Sequence, residues 1–453
     1  MDGHSSHVSP PTFSLSSQQR GIWLHQLLFP ESALYNISSY LKIDGPLDVP
    51  LLEQALKQVI QAHDAHRLMF SPGEPLPRQW FCDAREWSLE RLDFSARGDA
   101  DTHALAWMKE QMGRPMPLVG ELLFQFSLVT VSPDRHYLFQ KYHHIIFDGW
   151  SGALAIQHMA KAYNALRQGQ PLTESLASSY LDVIAADQAY ANSDAYARDE
   201  AFWKEKFTQR PEPLPRYAME GSTLPEGNHL AELWLGSECL TRLQAFARSQ
   251  GTTPFQIVLG VLYCYFTRTG QRDDFSVGMP TLNRPDRKQR RTVGLCANIA
   301  VAWYRFGTEL TFTELLRALR DDSARDTPHR RFPFDDLNRL IGLAQTHRSR
   351  LFDVNLSYTS ADYDVALGDA TARFSAMRGD NPYGLSIYID NIEASHQLAF
   401  QFKASPSLFT REELERMVRR LELLLGEVMD RPDVPLRALS IMPESERAQV
   451  LLE

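Results

Sequence analysis

The sequence predicts an α/β protein built as a duplicated sandwich, and three observations carry that expectation. Its 453 residues are about three times the usual single-domain length. Hydrophobic residues make up 43% and charged residues 23%, an ordinary globular balance that argues against disorder. Both halves close on one succession: two extended apolar runs, then a helix with a single apolar stripe.

After a polar lead, Ser16 and Gln19 have the spacing of a capping box that opens a helix through Ile22, Trp23 and Leu27 and stops at Pro30. Asp48 is placed to cap a second helix whose stripe is Leu52, Leu56, Val59 and Ile60, with Pro50 in its first turn. A third helix is predicted over Ala104 to Met112. Leu122 to Val131 and Tyr137 to Tyr142 read as strands joined by a hairpin at Ser132-Pro133-Asp134. Helical spacing returns from Trp150 to about Arg167, with Gly169 as its stop. The proline-rich stretch Lys206 to His229 reads as a connector. Beyond it come a strand at Leu230 to Leu235, helices at 238–250 and 254–268, and extended runs near Phe275, Ile299 and Phe352. Strands Leu385 to Ile389 and Leu398 to Phe402 precede a helix capped by Thr410 and Glu413, with Leu414, Met417, Val418, Leu421 and Leu424 as its stripe. The expected division is 1–177 for the first lobe, 178–229 for a connecting helix and linker, and 230–453 for the second lobe. Loops near 280–295 and 360–380 are expected to bridge the two.

Charge and composition exclude several function classes. The net charge of −9 speaks against bulk nucleic-acid binding. The longest apolar run, Ile257 to Phe266, is too short to span a bilayer, and the chain opens with no secretory signal. Cys82, Cys239, Cys264 and Cys296 are scattered without CxxC spacing, which disfavours a disulfide framework or a cysteine zinc site and fits a reducing, cytoplasmic setting.

Between the hairpin and the following helix lies Tyr142-His143-His144-Ile145-Ile146-Phe147-Asp148-Gly149-Trp150-Ser151. The corresponding place in the second half, Phe402-Lys403-Ala404-Ser405-Pro406, has no histidine. Adjacent histidines at a strand end point to opposite faces, so one ring can face a cavity while the other packs inward. Asp148 can turn back to hold the backbone, and Gly149 permits either a positive φ or close approach of a substrate. No HxxxH, HExxH or GxSxG occurs, so metal and serine-hydrolase readings lack their usual support. Two buried structural histidines remain the alternative that the segment by itself leaves open.

This chain resembles the condensation domains of nonribosomal peptide synthetases, over its whole length and in seven motifs. Phe13 to Leu24 resembles the first, and His63-Asp64-Ala65-His66-Arg67 through Phe70 the second, with His66 and Leu68 where leucine and threonine are usual. His143 to Ser151 matches the third. Tyr180-Leu181-Asp182 resembles the fourth, and Val293-Gly294 through Asn298 the fifth. His329 with Phe332-Pro333-Phe334 resembles the sixth, and Arg348 through Asp353 the seventh. The resemblance implies two chloramphenicol-acetyltransferase-like α/β sandwich lobes in a V arrangement. It further implies attack of an amine on a thioester to give an amide.

By resemblance, His144 faces the reaction as general base or positioning group, and His143 supports it. Asp148 pairs structurally with Arg284, and Gly149 offers a backbone N–H to the thioester. Trp150, Ser151, Gly152, Asn298 and Asn355 are candidates for the substrate tunnel, although for the two asparagines a satisfied core amide is an equal reading. Heterocyclising relatives have aspartate in place of His143, and epimerases shift the tryptophan; condensation is the expected activity. The first motif begins soon after Met1, and Ser440 to Leu452 resembles a linker into an adenylation domain. A starter domain is therefore expected, one that N-acylates an aminoacyl carrier protein from an acyl-CoA or acyl carrier donor. Gly152 is consistent with room for the acyl chain. An elongating domain supplied in trans and a non-catalytic carrier-docking module are the rivals. No metal or bound cofactor is expected beyond the phosphopantetheine arm of the substrates, and the domain by itself is expected to be monomeric. Two basic stretches, Arg284 to Arg291 and His347 to Arg350, read either as solvated loops or as a mouth for the phosphates of phosphopantetheine or CoA.

Overall fold

The structure, a computed structural model, describes residues 11–73, 76–170, 177–214, 227–345, 350–359, 363–379, 382–392, 397–444 and 446–448. In chain order the strands are β1 (Asn36–Asp44), β2 (Leu68–Phe70), β3 (Gln79–Phe81), β4 (Glu90–Asp93), β5 (Phe124–Ser132), β6 (Arg135–His143), β7 (His229–Leu235), β8 (Asp274–Thr281), β9 (Asn298–Arg305), β10 (Val354–Thr359), β11 (Val365–Leu367), β12 (Ala370–Met377), β13 (Leu385–Ile392) and β14 (Gln397–Ala404). The chain divides into two compact units. The first comprises Met1–Asp194, Leu282–Ala297 and Ala361–Gly379, and the second the remainder.

The first unit holds a six-stranded sheet in the order β11-β12-β1-β6-β5-β4, antiparallel except for the β4–β5 pair. β5 and β6 form a hairpin in which Ser132 pairs Arg135 across Pro133-Asp134. β6 lies between β1 and β5, and its side chains are buried from His136 to His143, as a central strand requires. Helix α1 (Ser17–Leu28) begins at the Ser16–Gln19 capping box, and α2 (Val49–Ala62) is capped by Asp48 and buries Leu52, Ala55, Leu56, Val59 and Ile60. Each such cap stabilises its helix by about 1 kcal/mol. Helix α3 (Ala100–Gly113) begins four residues before the predicted Ala104, after Asp99 takes a left-handed conformation at φ 54°. Helix α4 (Gly149–Arg167) follows the histidine segment, and Gly169 closes it at φ 65°. Helix α5 (Tyr180–Ala191) completes the unit.

The second unit repeats the plan around a sheet in the order β7-β14-β13-β10-β8-β9, with β10 parallel to both β8 and β13. Its helices are α6 (Asp194–Lys206, its first residue at the boundary), α7 (Ser237–Ser249), α8 (Pro254–Gly270), α10 (Phe312–Asp326), α11 (Phe334–Leu340) and α12 (Arg411–Asp430). The short α9 (Arg287–Arg290) belongs to the first unit. Helix α8 is buried on every face from Ile257 to Thr267. Helix α12 begins at the Thr410–Glu413 box and buries one stripe, Leu414 to Val428. Among the described residues no helix is long and apolar enough to cross a membrane.

The extended run expected near Phe352 is β10, which begins at Val354, and the Phe352 ring fills the space where a Cβ on Gly278 would stand. Two expectations are corrected. The stretch expected as a loop near 360–380 forms β11 and β12, the latter an Ala-Thr-Ala-Arg strand too weakly apolar to be read as one. The loop near 280–295 contains the end of β8 and α9. Much of the connector beyond Leu214, and His347 to Ser349, lie outside the described residues.

Candidate active site

β6 ends at His143, and the chain enters a single 3-10 turn, His144–Ile146, before α4 begins. That turn separates the two rings. The His143 backbone N–H donates to Leu123 O (2.9 Å) and that of His144 to Tyr35 O (2.8 Å), fixing the turn on both sides. His143 is buried. Its Nδ1 accepts from the Ile145 N–H at 3.2 Å, which makes the turn's own backbone its partner. Burial, then the neighbouring His144 and Lys141, push its pKa down to about 3. His144 is half-buried. Its Nδ1 is enclosed without a hydrogen-bond partner among the described residues. Burial lowers its pKa too, only partly offset by Asp148, so at neutral pH it is an uncharged imidazole able to accept a proton.

Asp148 is buried and fully engaged. Its Oδ1 accepts from Ser151 N (3.0 Å), Ser151 Oγ (2.8 Å) and Arg284 Nη2 (3.0 Å). Its Oδ2 accepts from Arg284 Nη1 (2.8 Å) and from the backbone of Cys296 and Ala297 (both 3.0 Å). Burial alone would raise its pKa; the Arg284 charge and these donors outweigh it and hold the carboxyl below its usual value. With both oxygens occupied, Asp148 positions α4 and the 282–297 segment and has no lone pair directed to a substrate. Ser151, expected in the tunnel, is instead buried at the centre of this cluster. Its Oγ accepts from Gly294 N (2.9 Å) and Arg284 Nη2 (3.1 Å) and lies 2.9 Å from Gly294 O. Tyr180 OH donates to Leu295 O (2.8 Å), and its ring occupies the place of a Cβ on Gly294, whose φ is 154°. The fifth motif needs its glycine for that contact.

Gly149 does not use a positive φ. It opens α4 with open space around it, so the remaining reading is close approach to its N–H. Trp150 is 37% exposed and donates through Nε1 to Arg290 O at 2.9 Å. A Cβ at Gly152 would meet only the Phe147 and Tyr363 rings, at 3.8 and 4.0 Å. Phe147 stacks on Tyr142 at 3.6 Å.

In the second unit, Asn298 is a satisfied core amide. Its Nδ2 donates to Arg330 O and Phe332 O, and its Oδ1 accepts from Phe334 N. Asn355 is buried with Oδ1 lacking a hydrogen-bond partner among the described residues. Of the basic stretches, Arg284 is spent on Asp148, and Arg350 donates to Pro382 O and lies over the Tyr383 ring. What remains exposed is Arg287, Lys288, Arg290 and Arg291. Sequence reasoning missed the buried His63–His158 pair (Nε2···Nδ1 2.7 Å). It also missed the enclosure of His66 by Phe124, Phe126, Tyr142 and Phe147. The unusual His66 was the available signal.

Among protein families, the one described as Condensation domain matches residues 11–451. The chain is 24% identical over 441 residues to the dimodular nonribosomal peptide synthase of Bacillus subtilis (strain 168), covering 97% of this chain and 18% of that one. It is 26% identical over 445 residues to the isonitrile lipopeptide synthase of Streptomyces coeruleorubidus, covering 96% and 30%. The chain thus spans less than a third of either relative. Among solved structures it is similar to a variant of the starter condensation domain of rhizomide synthetase in complex with C8-CoA. That likeness has a TM-score of 0.85 and 27% identity, over 95% of this chain and 97% of that one. The first condensation domain of the calcium-dependent antibiotic synthetase, with a substrate analogue, shares the fold at TM-score 0.83 and 24% identity, over 95% and 99%.

Proposed function

The chain belongs to the condensation-domain family of nonribosomal peptide synthetases, and on that premise we propose that it is an amide-forming acyltransferase of the starter kind. It joins an acyl group, delivered as a thioester of CoA or of a carrier protein, to the amine of an aminoacyl carrier protein. The observation that carries this reading is the likeness, over 95% of the chain, to a starter domain holding C8-CoA. The open position at Gly152 supports it, since an acyl chain needs unfilled space beyond the histidine segment.

The chemistry follows from the side chains. The acceptor nitrogen attacks the thioester carbonyl, the C–N bond forms, the C–S bond breaks, and the thiolate leaves. An α-amino group with a pKa of about 7.7–8.0 is substantially neutral at cellular pH, so much of the effect of the site is orientation. The neutral His144 Nε2 takes the proton that the amine sheds as the bond forms, and the departing sulfur receives it. The N–H groups of Gly149 and Trp150, at the first turn of α4, are the donors available to the carbonyl oxygen as it gains charge. Asp148 and Arg284 hold that turn without taking part in proton transfer.

Mass spectrometry of an aminoacyl carrier protein incubated with a ladder of acyl-CoAs tests the reading. Wild type is expected to form the acyl-aminoacyl product, and His144→Ala to form it at least about 100-fold more slowly. No product from any acyl-CoA, with carrier binding retained, would overturn the starter assignment in favour of an elongating or docking role. Undiminished product from His144→Ala would remove the histidine from the mechanism.

A further inference from the structure

We propose that Asp64 is a positioning residue of the amide-forming reaction, acting through Tyr180 on the backbone of residues 294–297 and, through that backbone, on the first turn of α4. This rests on the acyltransferase reading and adds a residue outside the His143–Ser151 segment on which the alignment of that segment depends.

Asp64 stands in the single turn Asp64–Arg67 that follows α2, and it is 8% exposed. Burying a carboxylate is costly unless donors surround it. Arg67, three positions on, donates instead to Cys82 O at 3.2 Å and lies over the Phe81 ring. The long-range donors of Asp64 both stand at the N-terminus of α5. Tyr180 N–H reaches Oδ1 at 2.9 Å and Oδ2 at 3.1 Å, and the Ser179 hydroxyl donates to Oδ2. The dipole of that helix favours a carboxylate at this end. Burial raises the pKa of Asp64, and these donors and the Arg67 charge offset it only in part.

What Asp64 holds is the residue that shapes the fifth motif. Tyr180 is fully buried, its OH donates to Leu295 O at 2.8 Å, and its ring stands 2.2 Å from the place of a Cβ on Gly294. The same stretch of backbone holds the base of α4. Gly294 N–H donates to Ser151 Oγ at 2.9 Å, and the N–H groups of Cys296 and Ala297 donate to Asp148 Oδ2, both at 3.0 Å. Asp148 caps α4 and, after burial, is the largest influence on the His144 ring. A shift in the first residue of α5 therefore reaches the N–H groups of Gly149 and Trp150. A second link starts from the neighbouring residue, where His63 Nε2 lies 2.7 Å from His158 Nδ1 on α4. The turn at 63–67 is thus tied to α4 both directly and by way of α5 and 294–297, all within the first unit. Donors to a developing oxyanion act in the transition state, so a slight displacement of that turn lowers kcat and spares substrate binding.

The test measures KM and kcat for octanoyl-CoA and an aminoacyl carrier protein with wild type, Asp64→Ala, Asp64→Asn and Tyr180→Phe, each with a melting curve. Asp64→Ala is expected to lower kcat about tenfold, with both KM values within about twofold of wild type. Asp64→Asn keeps an oxygen for the Tyr180 N–H and is expected to recover most of that loss. Tyr180→Phe removes a single hydrogen bond and is expected to show the same split between kcat and KM, even if Asp64→Ala is too unstable to assay. Asp64 and Ser151 stand at opposite ends of the route, and independent effects at distant sites multiply. Asp64→Ala combined with Ser151→Ala is expected to cost less than the product of the two single losses. An unchanged kcat in the folded variants, a rise in KM alone, no recovery in Asp64→Asn, or a multiplicative double variant would overturn the positioning role while acylation stands. The NMR resonance of the His144 ring, in protein with isotope-labelled histidine and assigned with His144→Ala, needs no turnover and is expected to move in Asp64→Ala. If wild type forms no product from acyl-CoA, the starter reading falls; a moved resonance then keeps the positioning role, and an unmoved one overturns both.

Discussion

At the scale of single residues, position 152 decides how much space lies beyond the histidine segment. A Cβ there makes ordinary contact with Phe147 and Tyr363 and displaces nothing. A leucine must place further carbons between those rings, and overpacking of this kind costs about 1–3 kcal/mol unless a cavity receives the side chain. If the donor's acyl chain runs past this point, Gly152→Leu takes the space that the chain would occupy. Its expected signature is a rise of about tenfold or more in KM for long-chain acyl-CoAs, with short acyl groups still transferred at near wild-type kcat. A chain-length profile unchanged from wild type, in a variant of normal melting temperature, would place the acyl chain elsewhere.

At the scale of elements, the first turn of α4 is joined to the segment Leu282–Ala297 by one buried cluster around Asp148, Ser151 and Arg284. Removing one partner of such an ion pair leaves a buried charge unmatched, and Arg284→Met is expected to lower stability by about 3–5 kcal/mol. Ser151→Ala is milder: it strands the Gly294 N–H and removes one donor from Asp148, for about 1–3 kcal/mol. Urea unfolding checks both, and a loss below about 1 kcal/mol for Arg284→Met would mean that water reaches the pair. How much of this was legible varies with the kind of signal. The helix caps at Ser16, Asp48 and Thr410 were readable because a cap is a local chemical pattern, as was the β5–β6 hairpin. The pairing of Asp148 with Arg284, 136 residues apart, came from family resemblance; no periodicity points to it. Ser151 was assigned to a tunnel because sequence spacing does not reveal which side of a helix turn meets a distant glycine. Strands β1 and β12 are hard to read because buried positions in them are weakly apolar, Asn36 and Ser38 in β1 and Ala370 and Ala372 in β12, so alternation is weak.

At the scale of the whole molecule, the buried low-pKa histidines are distributed unevenly. His63, His66, His143 and His158 all belong to the first unit. Burial, the largest cause in each case, holds them neutral well below the value of about 6.5 at which a free imidazole takes its proton. Between those two pH values the unfolded chain binds more protons than the folded unit. Stability is therefore full above about pH 6.5 and falls as the pH drops below it. One such histidine gives a slope of up to about 1.4 kcal/mol per pH unit, and several in one unit give a steeper one. Denaturant titrations at pH 7, 6 and 5 should therefore show the first unit weakening faster than a single histidine allows. His66 provides the internal check. Its Nε2 is buried with no hydrogen-bond partner among the described residues, inside four aromatic rings, so an apolar side chain of similar size suits that cage better. His66→Leu is expected to be as stable as wild type or more so at pH 7, and clearly more stable at pH 5, with one proton fewer taken up on unfolding. An identical pH slope in variant and wild type would show that the acid sensitivity arises from the other histidines, above all the hydrogen-bonded His63–His158 pair, in which protonation of both rings must break a buried contact.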